Sequence, residues 1–117
     1  MVTTDELAAA LRRFRFRFTS EIELHKGIAK CLDYLGINYS YEHAISRRDR
    51  LDFLVQETIA IEAKVDGSLA ELTRQLHRYA TTGKLEGFVV VSSKARHRAL
   101  PREILGIPVR VVPLLAL

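Results

Sequence analysis

The sequence has few of the residues that mark disulfide-stabilised, zinc-stabilised or disordered chains. It contains one cysteine, three prolines and six glycines in 117 residues. Cys31 is the one cysteine, so it has no partner for an internal disulfide. The four histidines do not have the spacing typical of zinc ligands; they are His25, His43, His77 and His97. We therefore expect a fold held by its own hydrophobic core, in a reducing compartment, with Cys31 in that core.

Long apolar runs are also missing. The chain opens with acidic residues, Asp5 and Glu6, where a signal peptide would have positive charge followed by an apolar run. The longest apolar stretch is far too short to cross a bilayer. We expect a cytoplasmic protein with no membrane partner.

The residues that are present suit one compact domain. Hydrophobic residues make up 48% of the chain and charged residues 27%, as in ordinary folded proteins. The net charge of +4 favours polyanionic partners. We predict a single domain over 1–117, divided into an N-terminal helix and strand arm (1–19), a core (20–92), and a basic loop with the last strand (93–117).

Capping signals and helical periodicity indicate the helices. A capping box at Ser20 opens an apolar stripe that ends at Gly36, and another at Ser68 opens a stripe that ends at Gly83. A shorter helix is predicted over Asp5–Leu11, and a short one lies within the basic segment 94–105. The two longer stripes are wide enough to cover a sheet.

Strands are predicted where apolar residues alternate with polar ones or form short continuous runs. The predicted strands are 13–18, 37–45, 51–55, 59–65, 87–92 and 107–112. In the first of them the row of Phe14, Phe16 and Phe18 either covers the domain's own core or forms the seam of a homodimer. From Ser20 onward the order is α-β-β-β-α-β, which predicts an α/β domain with a mixed central β-sheet flanked by helices.

Three charged residues interrupt the two apolar strands of a predicted hairpin. In the strand 59–65, Glu62 and Lys64 point to the same face because side chains alternate, and Asp52 interrupts the partner strand between Leu51 and Phe53. Charged residues are seldom buried unpaired, so they indicate either an ion pair or a site for a metal or phosphate. Asp52 paired with Arg50 or Lys64 is the structural alternative.

Two carboxylates brought close in a poorly solvated place repel each other unless a cation lies between them. Oxygen ligands favour Mg²⁺ or Mn²⁺ over zinc, and Mg²⁺ is commonly completed by water and substrate phosphate oxygens. Asp52 and Glu62 are therefore candidate ligands, and Lys64 is a candidate for stabilising charge that develops on a phosphate.

The segment from Arg50 to Val65, with Asp52 followed by the Glu62-Ala63-Lys64 triplet, resembles the core of PD-(D/E)XK nucleases. Glu21, Gln75 and Tyr79 look like accompanying motifs of the RecB-like and Holliday-junction-resolvase-like branches. The resemblance covers roughly 20–92. Leu51 lies at the position where that family often has proline. The sequence therefore departs from the family motif at this residue but keeps the charged residues of the motif.

The resemblance implies a restriction-endonuclease-like three-layer core and Mg²⁺-dependent hydrolysis of DNA, with Mn²⁺ as a substitute. Asp52, Glu62 and the main-chain carbonyl of Ala63 would bind the metal, Lys64 would be the catalytic lysine, and Glu21 would complete the metal site directly or through water. A small freestanding domain of this kind resembles a junction-type or phage-type endonuclease, and a homodimer is plausible for it.

Helical geometry chooses between the two glutamates of the first long helix. Glu21 lies within about 40° of the centre of the apolar stripe, whereas Glu23 falls on the opposite side and has a capping role. Gln75 lies about 100° from the centre of its stripe, so it either reaches the cleft or faces water. Tyr79 is on the stripe and is expected in the core.

Basic residues supply candidate contacts to a DNA backbone. The candidates are Arg47, Arg48, Arg50, Arg74, Arg78, Lys94, Arg96 and Arg98. Two alternatives to a nuclease stay open at this point: a non-catalytic DNA-binding or assembly subunit with a nuclease fold, and a protein-interaction domain in which Asp52 and Lys64 form a structural ion pair.

Overall fold

In the computed structural model, which describes residues 1–114, helices pack on both faces of a six-stranded sheet. The helices are α1 (Thr4–Arg12), α2 (Glu21–Leu35) and α3 (Leu69–Ala80), and a 3₁₀ helix covers Ala95–Ala99. The strands are β1 (Tyr39–Ala44), β2 (Arg50–Val55), β3 (Ile59–Lys64), β4 (Gly87–Ser92), β5 (Glu103–Ile104) and β6 (Ile107–Pro113). The last three residues of the predicted segment 93–117 lie outside the described residues.

The sheet is mixed, which confirms the predicted α/β class. Its strand order is β1-β2-β3-β4-β6-β5. The first three strands form an antiparallel meander, β3 and β6 each pair in parallel with β4, and β5 returns antiparallel to β6. Because β3, β4 and β6 run the same way, their carboxyl ends meet at one edge of the domain.

Each face of the sheet has its own core. On one face, α1 and α2 pack residues such as Leu11 and Ile28 against Ile61 of β3, and Cys31 is buried there as expected. On the other face, α3 packs Leu76 and Tyr79 against the remaining side of the sheet. Glu62 and Lys64 lie on the α3 side, since Ile61 and its neighbours at alternate positions belong to the opposite core.

Side-chain caps begin all three helices. Thr3 and Glu6 form a complete capping box at α1. Ser20 accepts a hydrogen bond from the main-chain nitrogen of Glu23, but the Glu23 carboxylate accepts from Thr19 and not from Ser20. Of the two hydrogen bonds of the predicted capping box at α2, only the one to the Ser20 hydroxyl is formed. The Glu23 carboxylate bonds to Thr19 instead, one residue before the predicted partner.

A tight turn joins β2 and β3 without the glycine that such turns favour. Gln56 and Glu57 have φ values of 50° and 67°, and the nitrogen of Thr58 donates to the carbonyl of Val55 at 3.1 Å. Positive φ at both central positions is the geometry whose twist matches paired strands. The predicted hairpin is confirmed, with local strain in its turn.

The predicted strand over 13–18 is wrong. Arg13–Phe18 has no strand pairing, although Phe14, Phe16 and Phe18 turn inward against the α1–α2 core and the intervening arginines are exposed. The alternation of apolar and polar residues indicates which side chains are buried. A strand also needs a neighbouring strand that forms hydrogen bonds with its main chain. The structure also contains a short strand, β5, inside the predicted basic loop and helix of 94–105.

Candidate active site

The hairpin ladder ends at the point where the charged residues begin. Main-chain pairing of β2 with β3 runs from Val55 and Ile59 to Phe53 and Ile61. Beyond it, Oδ2 of Asp52 accepts a hydrogen bond from the nitrogen of Ala63 at 2.8 Å, and Oε1 of Glu62 accepts from the nitrogen of Asp52 at 3.1 Å. Each carboxylate thus replaces a main-chain carbonyl as the acceptor for a nitrogen of the opposite strand, and this hydrogen bond holds it in place.

This arrangement raises the energy of the ionised pair. Glu62 is 1% exposed, and burial together with the charge of Asp52 raises its pKa well above the ordinary value of 4.5. Lys64 acts in the opposite direction and lowers that pKa. A buried carboxyl beside a second carboxylate favours either a proton or a cation. The two main-chain donors reach Oδ2 of Asp52 and Oε1 of Glu62, and the second oxygen of each carboxylate accepts from neither of them.

His25 is a site residue that the sequence reasoning missed. Its Nε2 lies 3.4 Å from Oδ2 of Asp52, is buried, and makes no hydrogen bond with the residues described. Its Nδ1 lies 2.7 Å from the hydroxyl of Tyr41. The available signal was position: His25 follows Glu21 by four residues and so lies on the same side of α2.

A cleft of about 440 Å³ opens beside Lys64. Glu21 from α2 and Gln75 from α3 line it together with Lys64, so three predicted site residues from separate elements come together there. The cleft also contains Asp66, Glu71, Arg74 and Arg78. Its charged lining is balanced, with three acidic and three basic side chains. Gln75, whose position was open between cleft and solvent, faces the cleft.

The carboxylates do not by themselves form a complete metal cage. Among residues 1–114, no three side chains of the types His, Cys, Asp and Glu are grouped so that they could hold a metal ion. Glu21 lines the cleft but is not grouped with Asp52 and Glu62.

Gln75 and Tyr79 form a chain of hydrogen bonds under the cleft. Nε2 of Gln75 donates to the Tyr79 hydroxyl at 2.8 Å, and this hydroxyl donates to the carbonyl of Arg50 at 3.2 Å. Tyr79 is buried, as expected, and burial raises its pKa. The chain ties α3 to the start of β2, two residues before Asp52.

The predicted DNA contacts are spread over several surfaces. Arg74 and Arg78 line the cleft, and Arg78 also pairs with Asp49 at 3.2 Å. Arg96 pairs with Asp66 at 2.9 Å. Arg50 lies 3.9 Å from Glu42, Arg47 and Arg48 are exposed between β1 and β2, Lys94 is half-buried, and Arg98 lines a different cleft.

His97 is a structural residue. It is fully buried, its Nδ1 meets the Ser92 hydroxyl at the end of β4, and its Nε2 donates to the carbonyl of Gly67 at 2.8 Å. The Ser92 oxygen also accepts a hydrogen bond from the nitrogen of Lys94. His97 thereby anchors the loop that carries Asp66 and Gly67 into the cleft.

Comparison with models of known families, with curated proteins and with solved structures finds no match to this chain. Across residues 1–114, none of the helices has the length and apolar character needed to cross a membrane. Function is therefore inferred from the arrangement of the side chains.

Proposed function

We propose that this chain is a Mg²⁺-dependent DNA nuclease that hydrolyses phosphodiester bonds, with a restriction-endonuclease-like fold. One observation carries the proposal: Asp52 and Glu62 are fixed against each other where their strands separate, and Lys64 follows on the face of β3 that borders the cleft. A buried carboxyl beside a second carboxylate is costly to ionise, and a cation bound at the pair offsets that cost.

The order and pairing of the elements support the same class. From α2 to β4 the chain runs helix, three-stranded meander, helix and strand, and β3 pairs in parallel with β4. This is the order that the PD-(D/E)XK resemblance implies. The central strands bear the charged triplet, and α2 and α3 supply the remaining side chains of the cleft.

The residues suit a hard divalent cation. The main-chain hydrogen bonds that join the two strands occupy one oxygen of Asp52 and one of Glu62, which leaves the second oxygen of each carboxylate as the type of ligand that Mg²⁺ prefers. Mg²⁺ needs only one or two carboxylates because water and phosphate oxygens complete its shell. The carbonyl of Ala63 would be the further protein ligand, and a bound ion would supply Lewis acidity and activate water.

The chain's own residues then have separate roles. The Lys64 ammonium stabilises negative charge that develops on the phosphate. Glu21 and Gln75, at the border of the same cleft, orient water or substrate by hydrogen bonds. Arg74 and Arg78 of α3, which line the cleft, contact backbone phosphates next to the reacting one.

The two alternatives make different predictions. A protein-interaction domain held by an Asp52–Lys64 ion pair lacks its main support, because no lysine or arginine among residues 1–114 lies within ion-pair distance of Asp52, whose neighbour at 3.4 Å is Nε2 of His25. A non-catalytic DNA-binding or assembly subunit remains the second candidate, favoured by the net charge of +4. Such a subunit binds DNA without turnover and without a response to Mg²⁺.

Cleavage of defined DNAs tests the proposal. Linear, nicked, single-stranded and branched substrates are incubated with the protein in Mg²⁺ or Mn²⁺, and we expect cleavage of at least one. Glu62→Gln and Lys64→Ala should each lower the rate by about a hundredfold or more. Glu57→Gln, at the turn of the same hairpin, and Lys30→Ala, on the exposed side of α2, are the matched controls.

Two results would overturn the nuclease assignment. The first is no cleavage of any substrate by folded wild-type protein. The second is cleavage that survives both Glu62→Gln and Lys64→Ala at the wild-type rate, which would point to a contaminating activity. Circular dichroism of each variant confirms that a lost rate is not a lost fold.

A further inference from the structure

A second cleft, of about 250 Å³, lies along the edge of β6 and is lined by four arginines. We call it the arginine cleft, and its arginines are Arg12, Arg98, Arg102 and Arg110. They come from α1, from the 3₁₀ helix, from the segment before β5, and from β6. Val109 and Val111 of β6 contribute its apolar lining.

Two of the guanidinium groups are held in place by the edge of the sheet. Nη2 of Arg12 donates to the carbonyl of Val111 at 3.0 Å. Nη1 of Arg110 donates to the carbonyls of Arg102 at 3.0 Å and Val109 at 2.9 Å. A guanidinium has five N–H donors, so both groups keep donors for a ligand while their positions are already determined.

The other two arginines are exposed and lack a counter-ion in the described chain. Arg98 and Arg102 form no ion pair within residues 1–114, and the carboxylate of Asp5 pairs with Arg110 at 2.6 Å. Four guanidinium charges thus face one carboxylate. The cleft beside Lys64, in contrast, has three acidic and three basic side chains. An excess of positive charge over a concave surface attracts polyanions.

The arginine cleft lies at the same level of the sheet as the buried carboxylate. Glu62 pairs with Val90, and Val90 pairs with Val111, so the three residues form one row across β3, β4 and β6. Two strand spacings separate Val111 from Glu62, about 10 Å.

We propose that the arginine cleft binds backbone phosphates of a DNA whose reacting phosphate lies at Asp52 and Glu62. The proposal rests on the function proposed above for the choice of DNA as the polyanion. The two clefts have separate roles: the arginine cleft supplies affinity for the backbone irrespective of sequence, and the charge-balanced cleft beside Lys64 receives the reacting phosphate.

A binding measurement without turnover tests this division. The variant Arg98→Gln/Arg102→Gln removes the two unpaired arginines, and Arg13→Gln/Arg15→Gln removes two exposed arginines from another surface with the same change in net charge. Fluorescence anisotropy with labelled duplex DNA in EDTA, from 50 to 200 mM salt, gives Kd and its salt dependence.

We expect the Arg98/Arg102 pair to weaken binding roughly tenfold and the control pair to have a much smaller effect. The slope of log Kd against log salt should fall by about 2 for the first pair, since each phosphate contact contributes about 0.9. Arg98→Lys/Arg102→Lys keeps the charges and should restore most of the affinity. Equal losses in the two glutamine pairs, or no loss in the first, would overturn the proposal.

Substrate length distinguishes this inference from the nuclease assignment. Wild type and the Arg98→Gln/Arg102→Gln variant should cleave a DNA too short to span both clefts at similar kcat/KM, whereas a long DNA should show the loss. If wild type binds DNA with the predicted arginine dependence but cleaves nothing, the nuclease assignment fails and the arginine cleft stands. If cleavage occurs and binding is indifferent to Arg98 and Arg102, only the arginine cleft fails.

Discussion

The two ends of the β2–β3 hairpin are held together in different ways. At the turn, buried apolar residues such as Val55 and Ile59 face each other across a regular main-chain ladder. At the open end, Asp52 and Glu62 occupy the ladder positions with their side chains, and Glu62 is buried next to another carboxylate. The apolar contacts at the turn end therefore stabilise the fold. The two carboxylates at the open end do not, and the rest of the fold holds them in position.

This difference separates stability from function along one pair of strands. Changes at the turn end should lower the free energy of unfolding and leave the chemistry of the folded molecules intact. Changes at the open end should abolish the chemistry and leave stability unchanged or improved. The four predictions that follow test the separation, beginning with the largest effect on stability.

Ile59→Ala at the turn end should lower the free energy of unfolding by about 2–5 kcal/mol, because it removes buried methyl groups and leaves a cavity. Urea unfolding measures the loss. Cleavage per folded molecule, assayed well below the melting temperature, should stay at the wild-type level. A hundredfold loss of cleavage by folded Ile59→Ala protein would contradict the separation.

Added Mg²⁺ or Mn²⁺ should stabilise the wild type through the open end. A ligand present at a hundred times its Kd stabilises the folded state by about 2.7 kcal/mol, because it binds the folded chain preferentially. Thermal unfolding with and without the metal measures the shift. Asp52→Asn should lose the response, and Asp33→Asn, an exposed site on α2, should keep it. A metal response that Asp52→Asn retains would place the ion elsewhere.

Glu62→Gln should make the metal-free protein more stable than wild type as the pH rises. The pKa of Glu62 is raised on folding, so above pH 4.5 the folded chain holds a proton that the unfolded chain has released. The protonated Glu62 therefore makes its full contribution to the free energy of unfolding at low pH. This contribution is lost as the pH rises toward the pKa that Glu62 has in the folded chain.

The difference in unfolding free energy between Glu62→Gln and wild type, measured in EDTA from pH 5 to pH 8, should grow with pH. It should reach about 1.4 kcal/mol for each unit by which folding raises the pKa. A difference that is constant over this range would mean that Glu62 stays ionised without metal. Added Mg²⁺ should shrink the difference, because the cation replaces the proton.

Tyr79→Phe should have the smallest effect, a loss of about 0.5–1.5 kcal/mol in unfolding free energy, because the hydroxyl bridges Gln75 and the Arg50 carbonyl. Gln75→Ala removes the same bridge from the other side. If Gln75 only supports Tyr79, the two variants should lower cleavage equally. A larger loss of cleavage in Gln75→Ala would assign Gln75 a direct contact with substrate.

Residues on one helix show where sequence reasoning succeeded and where it stopped. The position of Glu21 on the cleft side of α2 could be predicted from 3.6-residue periodicity, whereas the Glu23 carboxylate accepts hydrogen bonds from Thr19 in the cap of the helix. His25 lies on the same side one turn later and was passed over. Its importance comes from a contact with Asp52, 27 residues away, and helical periodicity contains no information on such contacts.

The segment Arg13–Phe18 was predicted correctly in its burial pattern but not in its secondary structure. Its alternation correctly indicates which side chains turn inward, because burial of one side is a local pattern. The prediction of a strand fails because pairing requires another strand at its edge, and none of the described strands lies there. A short strand such as β5 is missed for the converse reason: two residues are too few to show a period.

What the sequence by itself determined is local. The alternation of β3 places Glu62 and Lys64 on one face, the capping residues start the helices, and the order of elements leads to a mixed α/β sheet. Tertiary structure alone decided the separation of β2 from β3 at Asp52, the burial that raises the pKa of Glu62, and the gathering of four distant arginines at the edge of β6. Alternation and capping depend on neighbours within a few residues, whereas desolvation and charge clustering depend on which distant segments the fold brings together.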